Sequence, residues 1–151
     1  MLGLYAAILT NPEYAKTYPF TLPEGFCFKA IVLNCGVYNM MDPSKLDGPT
    51  MPIMKDFLPG GATEEELYQI STVNFITEDY PPTFYMTCTG DFLKNQAPVL
   101  EEQLLEKNIP HEFHYFGDAK TELGHVFHLN MRSEEASRCN DIECDYFRRF
   151  L

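Results

Sequence analysis

One aspartate in this sequence follows a strand-like run, the position at which open α/β sheets carry catalytic and ligand-binding groups. The run from Thr83 to Thr87 is β-branched, aromatic or apolar without clean alternation, which is typical of a parallel strand covered on both faces. Two prolines precede the run, and Gly90 ends it just before Asp91. Because ligands and catalytic groups collect at the carboxyl ends of such strands, Asp91 is a candidate catalytic acid.

A histidine follows the next strand-like run along the chain. Residues Glu112 to Phe116 favour a strand, and the loop after them carries Gly124-His125. A histidine on a glycine-bearing loop of this kind can return beside the acid of the preceding strand. Held by a carboxylate, its ring can take the proton of a hydroxyl nucleophile. Asp91 and His125 therefore form a candidate acid–base pair.

The order of these two residues resembles that of the α/β-hydrolases, whose triad runs serine, acid, histidine along the chain. More narrowly, the chain resembles the C-terminal half of an esterase/lipase related to hormone-sensitive lipase. Asp91 falls on the family's acid in its Asp-x-Leu context, and His125 falls on its histidine in the Gly-His context. The resemblance covers the whole chain but only the later half of the family's fold. It implies a partial α/β-hydrolase fold and ester hydrolysis by a Ser-His-Asp mechanism.

The nucleophile of that mechanism is not recognisable. The sequence has four serines, which are Ser44, Ser71, Ser133 and Ser137. None lies in Gly-x-Ser-x-Gly, and no His-Gly-Gly oxyanion motif occurs. In the relatives, the nucleophile elbow feeds directly into a helix like the one expected at Met1 to Thr10, which opens without a cap. We therefore expect a truncated chain that carries the acid and base but lacks the serine and the oxyanion hole. A native start with a frayed helix is the alternative.

Other residues are candidates for the same roles. His128, one helical turn beyond His125, is the alternative base. Asp118 and Glu122 are alternative acids, although they lie on the histidine's own loop. Cys35 ends a strand-like run and is a candidate thiol nucleophile, but no strand-turn-helix elbow follows it. Since most buried cysteines are structural, that is the expected role of Cys35.

Helices and strands are expected to alternate around this site. The predicted order is a helix at Met1 to Thr10, a strand at Phe28 to Val37, an insertion at Asn39 to Asp79, a strand at Thr83 to Thr87, a helix at Gln96 to Lys107, a strand at His111 to Gly117 and a final helix capped by Ser133. This pattern predicts one α/β domain over residues 1–151, in which parallel strands, flanking helices and right-handed crossovers surround the cap-like insertion.

Local signals add detail to three of the helices. On the first helix, four residues form the stripe expected to face the core: Leu2, Tyr5, Ala6 and Leu9. Asn95 is the expected cap of the helix at Gln96 to Lys107. Within the insertion, Thr63 and Glu66 predict a capping box at the start of a short helix.

The insertion occupies the position of the family's cap. By that resemblance, four of its residues are candidates for lining an acyl pocket: Met40, Met41, Phe57 and Phe75. Methionine supplies adaptable apolar surface, which suits such a role. Ordinary packing beneath a loop is the alternative.

Composition excludes several classes of function. The 22 acidic residues outnumber the 11 basic ones, so the formal net charge of −11 argues against nucleic acid or an anionic membrane as partner. The five cysteines form no Cys-x-x-Cys pair, which favours reduced thiols in a cytoplasmic protein over a disulfide framework or zinc site. No run reaches the ~18 apolar residues of a membrane span. No cofactor or metal is expected.

Two functional interpretations remain. The first is a carboxylic-ester hydrolase whose parent attacks small acyl esters through a serine preceding Met1. The alternative is a non-catalytic α/β binding or interaction module in which Asp91 and His125 are relics. The expected fragment would also expose one edge of the strand at Phe28 to Val37. Because an open edge is a template for pairing, we expect the chain to self-associate as a homo-oligomer.

Overall fold

Three parallel strands form a single sheet in the computed structural model, which describes residues 1–46 and 48–151. The strands are β1 (Ile31–Asn34), β2 (Thr83–Cys88) and β3 (His111–Phe116), in the spatial order β1-β2-β3. Every residue of the central strand β2 is buried. Cover on both faces and a strand on either side explain its continuous apolar run. The predicted α/β class with parallel strands is confirmed.

Helices lie along the described chain between and around the strands. Their bounds are α1 Leu2–Thr10, α2 Pro12–Ala15, α3 Thr50–Phe57, α4 Glu64–Gln69, α5 Ala97–Glu106 and α6 Glu134–Arg148. Short 3-10 turns occur at Pro43–Lys45, Thr72–Phe75, Lys94–Gln96 and Phe127–Leu129. The predicted insertion contains α3 and α4, and its residue Asp47 lies outside the described residues. None of the described helices is long and apolar enough to cross a membrane.

The sheet separates two apolar layers, because neighbouring residues of a strand point to opposite faces. Tyr85 of β2 packs in one layer with buried residues of α1 and α5. Phe84 and Met86 pack in the other layer with Cys139 and Tyr146 of α6. The strand is therefore apolar on both sides, as its composition predicted.

The first helix buries a different face from the predicted one. Gly3, Ala6 and Ala7 are buried, whereas Leu2 is 40% exposed. Small side chains let the helix come close to its neighbours, and the Tyr80 hydroxyl donates a hydrogen bond of 3.0 Å to the carbonyl of Gly3. Of the predicted stripe, only Ala6 is fully buried, because close approach decided the packing rather than side-chain size.

Three other elements, β1, α3 and α5, also differ from the prediction, each because of a local feature of the chain. Strand β1 is shorter than predicted, since Cys35 has a φ of +49° and turns the chain out of the extended conformation. Helix α3 was not predicted within the insertion; it contains Pro52 in its first turn, where proline is tolerated. A 3-10 turn precedes α5, so Gln96 rather than Asn95 takes the N-cap position.

The remaining caps are as predicted. The side chain of Thr63 accepts from the Glu66 N–H, and Glu66 reaches back to the Thr63 N–H, so the capping box of α4 is confirmed. The Ser133 hydroxyl accepts from the Ala136 N–H and caps α6. Both motifs are local in sequence, which is why the residues alone predict them.

Candidate active site

Asp91 and His125 meet at the carboxyl ends of β2 and β3. Nδ1 of His125 lies 2.7 Å from Oδ1 of Asp91, so the hydrogen bond predicted between them is confirmed. Asp91 is 1% exposed, whereas the His125 side chain remains 30% exposed. Asp91 is therefore buried inside the fold, whereas His125 is partly exposed at the surface of the protein.

The carboxylate of Asp91 accepts hydrogen bonds on both of its oxygens. The Thr87 hydroxyl donates to Oδ2 at 2.6 Å, and the Leu93 N–H donates to Oδ1 at 2.9 Å. Burial alone would raise the pKa of Asp91, but the bonds from Thr87, Leu93 and His125 together hold that pKa below its usual value. The side chain is thus kept as an anion that orients the histidine.

The end of β2 fixes the loop that carries His125. Gly90 and Gly124 form a parallel bridge, and the Gly90 N–H donates to the Leu123 carbonyl at 2.8 Å. The Leu123 N–H donates to the Thr89 hydroxyl at 2.9 Å. A Cβ at Gly90 would stand 2.8 Å from the Leu123 carbonyl, so this close approach requires glycine. The histidine is positioned by main-chain pairing and not by a free loop.

The imidazole ring packs against Phe92, whose ring centroid lies 4.4 Å away. Gly48 in turn lies against Phe92, since a Cβ there would come within 2.9 Å of the ring. Because Nδ1 of His125 faces Asp91, Nε2 is the nitrogen left to exchange a proton with a bound group. Phe92 and Asp91 together limit the ring to one orientation.

The other candidate acids and base are engaged elsewhere. The side chain of Asp118 accepts from the N–H groups of Lys120 and Thr121 and closes its own turn. Glu122 lies against Gly90 without joining the pair. His128 is buried, and burial lowers the pKa of its ring. The structure thus joins Asp91 to His125 and to none of these alternatives.

Cys35 does approach the pair. Its sulfur, a carboxylate oxygen of Asp91 and a ring nitrogen of His125 all lie within 4.8 Å of one another. The residue is 4% exposed, and burial raises the pKa of its thiol far above the ordinary value. A buried neutral thiol is a poor nucleophile, which agrees with a structural role.

The four serines lie in structural positions. Ser71 donates to the Leu67 carbonyl and accepts from the Met40 N–H, and Ser133 caps α6. Ser44 donates to Asp42, and Ser137 donates to the Ser133 carbonyl. In the part of the chain that the structure describes, no serine hydroxyl is bonded to the His125 ring.

An apolar groove of about 220 Å³ runs beneath α3. Its apolar lining residues include Leu4, Val37, Met40, Met54, Phe57 and Ile70. Two chain connections link it to the pair: Val37 follows Cys35 by two residues, and α3 begins two residues after Gly48. Consecutive Cα atoms are ~3.8 Å apart, so Val37 of the groove lies within ~8 Å, Cα to Cα, of Cys35 beside the pair.

Two of the four residues predicted to line a pocket do line this groove, namely Met40 and Phe57. Met41 lies instead beside Tyr68 at the surface of α4. Phe75 packs in the core, stacked on Tyr14 at 3.6 Å between ring centroids. For Phe75, the alternative of ordinary packing is therefore correct.

Several residues around the pair were not predicted. They are Thr87, Phe92 as a ring neighbour, Gly48 and the thiol contact of Cys35. Of these, only Thr87 left a sequence signal, as a hydroxyl in the strand that delivers the acid. The others depend on approaches between segments distant in the chain.

Comparison with known proteins identifies relatives by structure and not by sequence. No family model and no curated protein matches the chain. Esterase B from Lactobacillus rhamnosis HN001 matches with a TM-score of 0.82 at 19% identity, over 98% of this chain and 48% of its own. The carboxylesterase Cest-2923 from Lactobacillus plantarum WCFS1 gives 0.74 at 14% identity, over 98% and 54%. An acetyl ester-xyloside bifunctional hydrolase from Caldicellulosiruptor lactoaceticus gives 0.60 at 17% identity, over 82% and 43%.

These matches define the architecture. The chain has the α/β fold of esterases, and it spans about half the length of the solved structures it matches. The resemblance expected from Asp91 and His125 is confirmed at the level of the fold. At such low identities the likeness shows the fold alone, since one fold hosts many chemistries.

Proposed function

We propose that this chain supplies the acid and base of a carboxylic-ester hydrolase that works by a Ser-His-Asp mechanism. One observation carries the proposal: a buried carboxylate and a partly exposed imidazole are hydrogen-bonded at 2.7 Å beyond the ends of neighbouring strands. Asp91 is the acid and His125 is the base. The esterase-type fold supports this assignment.

The geometry suits each step that such a pair must perform. Nε2 of His125 accepts the proton of a serine hydroxyl as its oxygen attacks the ester carbon, and then returns that proton to the leaving alcohol. Asp91 accepts the Nδ1–H bond, fixes the tautomer and stabilises the imidazolium that forms. Water then attacks the acyl-serine ester: Nε2 of His125 accepts a proton from the water and returns it to the serine oxygen as the acid leaves. Thr87 and the Leu93 N–H keep the acid ionised throughout.

The serine and the oxyanion donors belong, in this proposal, to a segment that precedes α1 in a longer parent protein. The chain's own serines are hydrogen-bonded elsewhere, and none stands in an elbow motif. Helix α1 begins beside the groove, which Met1 and Leu4 help to line, so an elbow leading into the helix would deliver a nucleophile to the groove. The chain alone would then carry two of three triad members.

The substrate proposed is a small acyl ester whose acyl chain lies in the groove beneath α3. The lining is apolar apart from Thr50. An apolar cavity of about 150 Å³ accommodates benzene, so the 220 Å³ groove has room for an acyl chain of roughly eight carbons. Short and medium acyl chains are therefore the expected range.

The decisive experiment starts from the DNA that precedes the codon for Met1. We expect it to encode Gly-x-Ser-x-Gly in frame, and we expect the longer protein to react with a fluorophosphonate probe and to hydrolyse p-nitrophenyl butanoate. In that protein, His125→Ala or Asp91→Asn should lower turnover by about 10⁴-fold while leaving the circular dichroism spectrum unchanged. His114→Ala, on β3, is the matched control and should retain turnover.

The 151-residue chain alone should show no burst with the same ester, because triad members act as a unit. A burst from the purified chain would contradict the proposal. An upstream sequence without an elbow, together with a longer protein that ignores the probe, would favour the non-catalytic module instead.

We also propose a cytoplasmic setting. All five cysteines are free thiols, two of them exposed, which suits a reducing compartment. The net charge of −11 disfavours nucleic acid as a partner.

A further inference from the structure

Cys35 occupies a strained position at the end of β1. Its φ of +49° lies in the left-handed region, which a side chain with a Cβ rarely adopts. Such a conformation persists only where the surrounding structure holds it, and it clusters at functional sites. The residue is buried, so strain of this kind is maintained by contacts inside the fold.

The thiol lies near three separate segments of the chain. Its sulfur is within 4.8 Å of a carboxylate oxygen of Asp91 and of a ring nitrogen of His125. Val126 directly follows His125 and is itself left-handed, with a φ of +53°. The sulfur also lies 4.0 Å from the sulfur of Met86 on β2. One side chain thus lies beside the acid, the histidine and the central strand.

The two other buried cysteines differ in this respect. The Cys88 thiol donates to the carbonyls of Leu123 and Gly124. The Cys139 thiol lies in the same apolar layer and donates to Glu143 on its own helix. Among the three, Cys35 is the one whose sulfur stands within 4.8 Å of both members of the pair.

We propose that Cys35 is a positioning residue, whose thiol sets the distance and orientation between Asp91 and the His125 ring. The role rests on the proposed function, because the pair it positions is the one assigned to ester hydrolysis. No covalent step involves the sulfur. The left-handed turn at Cys35 ends β1 where its sulfur lies within 4.8 Å of both members of the pair.

The test uses nitrogen-15 labelled chain and the ring resonances of His125. In the wild type, a protected Nδ1 proton should report the bond to Asp91. In Cys35→Ala that proton should exchange with water about tenfold faster, as expected for the loss of one hydrogen bond to a charged group. In Cys35→Ser, which keeps a donor, the protection should be largely restored. His114 serves as the reference ring within the same molecule.

Two further variants separate the thiol from the backbone and from packing. Cys35→Gly relieves the positive φ, so it should be more stable than Cys35→Ala and yet show the same loss of protection. This variant also keeps the test open if the alanine variant does not fold. Cys139→Ala removes an equally buried thiol from the same layer and should leave the His125 resonances unchanged.

Wild-type protection in both Cys35→Ala and Cys35→Gly would overturn the inference and reduce Cys35 to core packing. Wild-type protection of the Nδ1 proton in Cys35→Gly but not in Cys35→Ala would also overturn the inference. Backbone strain at position 35, and not the missing thiol, would then explain the loss of protection in the alanine variant. Activity of the longer protein that survives His125→Ala would contradict the proposed function and leave these resonances unaffected, so the two failures are distinguishable.

Discussion

The carboxylate of Asp91 couples the site to acid stability. Burial opposes ionisation of this side chain, but its hydrogen bonds prevail and lower its pKa. An unfolded aspartate has a pKa of ~3.9, so near and below that pH the unfolded chain binds the proton more readily than the folded one. Stability from Asp91 is therefore complete above about pH 5 and is lost as pH falls through the folded pKa.

In the Asp91→Asn variant, the free energy of unfolding should consequently fall less steeply as the pH is lowered. Urea midpoints measured between about pH 2 and 7 should fall less steeply in this variant than in the wild type, since no group then titrates at the position. Asp141→Asn, at an exposed position of α6, is the control and should leave the slope unchanged. Equal slopes in all three proteins would contradict the expectation.

Thr87 offers a second test at the same carboxylate. Thr87→Val keeps the shape but leaves Oδ2 of Asp91 buried without its 2.6 Å donor, which should cost about 1.5–3 kcal/mol of unfolding free energy. Thr87→Ser keeps the hydroxyl and loses one methyl group, worth ~0.8 kcal/mol. Chemical denaturation checks both values. A serine variant as unstable as the valine variant would show that packing, and not the hydrogen bond, is what Thr87 contributes.

The sequence predicts only part of this site for a physical reason. Gly90 marks the end of one strand and Gly124 lies on the loop after the next, and polar residues that follow neighbouring parallel strands lie at the same edge of the sheet, so Asp91 and His125 were predictable. The thiol of Cys35 and the ring of Phe92 reach the pair across segments far apart in the chain. Nothing in their local sequence encodes that approach.

Among the elements, the link between β1 and α5 depends on one side chain that the sequence did not single out. Gln96 is fully buried at the start of α5. Its carbonyl oxygen accepts from the N–H groups of Tyr38 and Asn39 at 3.0 and 2.8 Å. Its amide donates to the carbonyls of Asn39 and Lys45 at 3.1 and 2.9 Å. The segment after β1 is thus fixed by four bonds to one residue.

Gln96→Leu should destabilise the fold by about 2–4 kcal/mol, because several buried main-chain groups lose their partners at once. Thermal and urea unfolding measure the loss. Gln103→Leu on the same helix removes only a surface contact to Glu106 and should change stability by less than about 0.5 kcal/mol. Similar losses in the two variants would contradict the role given to Gln96.

The capping residues of α4 and α6 were predictable from the sequence, whereas the buried face of α1 was not. The caps at Thr63 and Ser133 involve residues three apart, so a short stretch specifies them. Helix α1 is apolar on nearly every side, so periodicity alone does not choose its buried face. The buried face includes Gly3, where a Cβ would come within 3.4 Å of Thr72, and this close approach depends on tertiary packing.

At the scale of the molecule, β1 and β3 are the two edge strands of the described sheet, and each lacks a strand neighbour on one side. A groove of about 180 Å³ follows the edge of β1 and the start of α1. Two polar atoms of its lining residues, Asn34 Oδ1 and the Tyr38 hydroxyl oxygen, are buried and have no hydrogen-bond partner among the described residues. The main-chain N–H and C=O groups on the unpaired edge of β1 form a template for pairing with another chain, which favours association.

Self-association through this edge remains a prediction. Light scattering coupled to size exclusion should give a mass above the 17.4 kDa of one chain at micromolar concentration. Leu2→Glu, in the groove at the start of α1, should shift the species toward monomer. Leu105→Glu, exposed on α5, should not. A monodisperse monomer in the wild type would contradict the expectation.

The parallel order of the strands also governs how fast this molecule folds. No two of them can pair through a tight hairpin, because residues 35–82 lie between β1 and β2 and residues 89–110 lie between β2 and β3. Loop closure costs more entropy over the longer connection, so β2, α5 and β3 should assemble first and β1 should dock last. Rapid-mixing kinetics should then show Leu104→Ala slowing refolding, while Leu33→Ala mainly speeds unfolding. The reverse pattern would place β1 in the folding nucleus, and in either case such non-local pairing predicts slow folding.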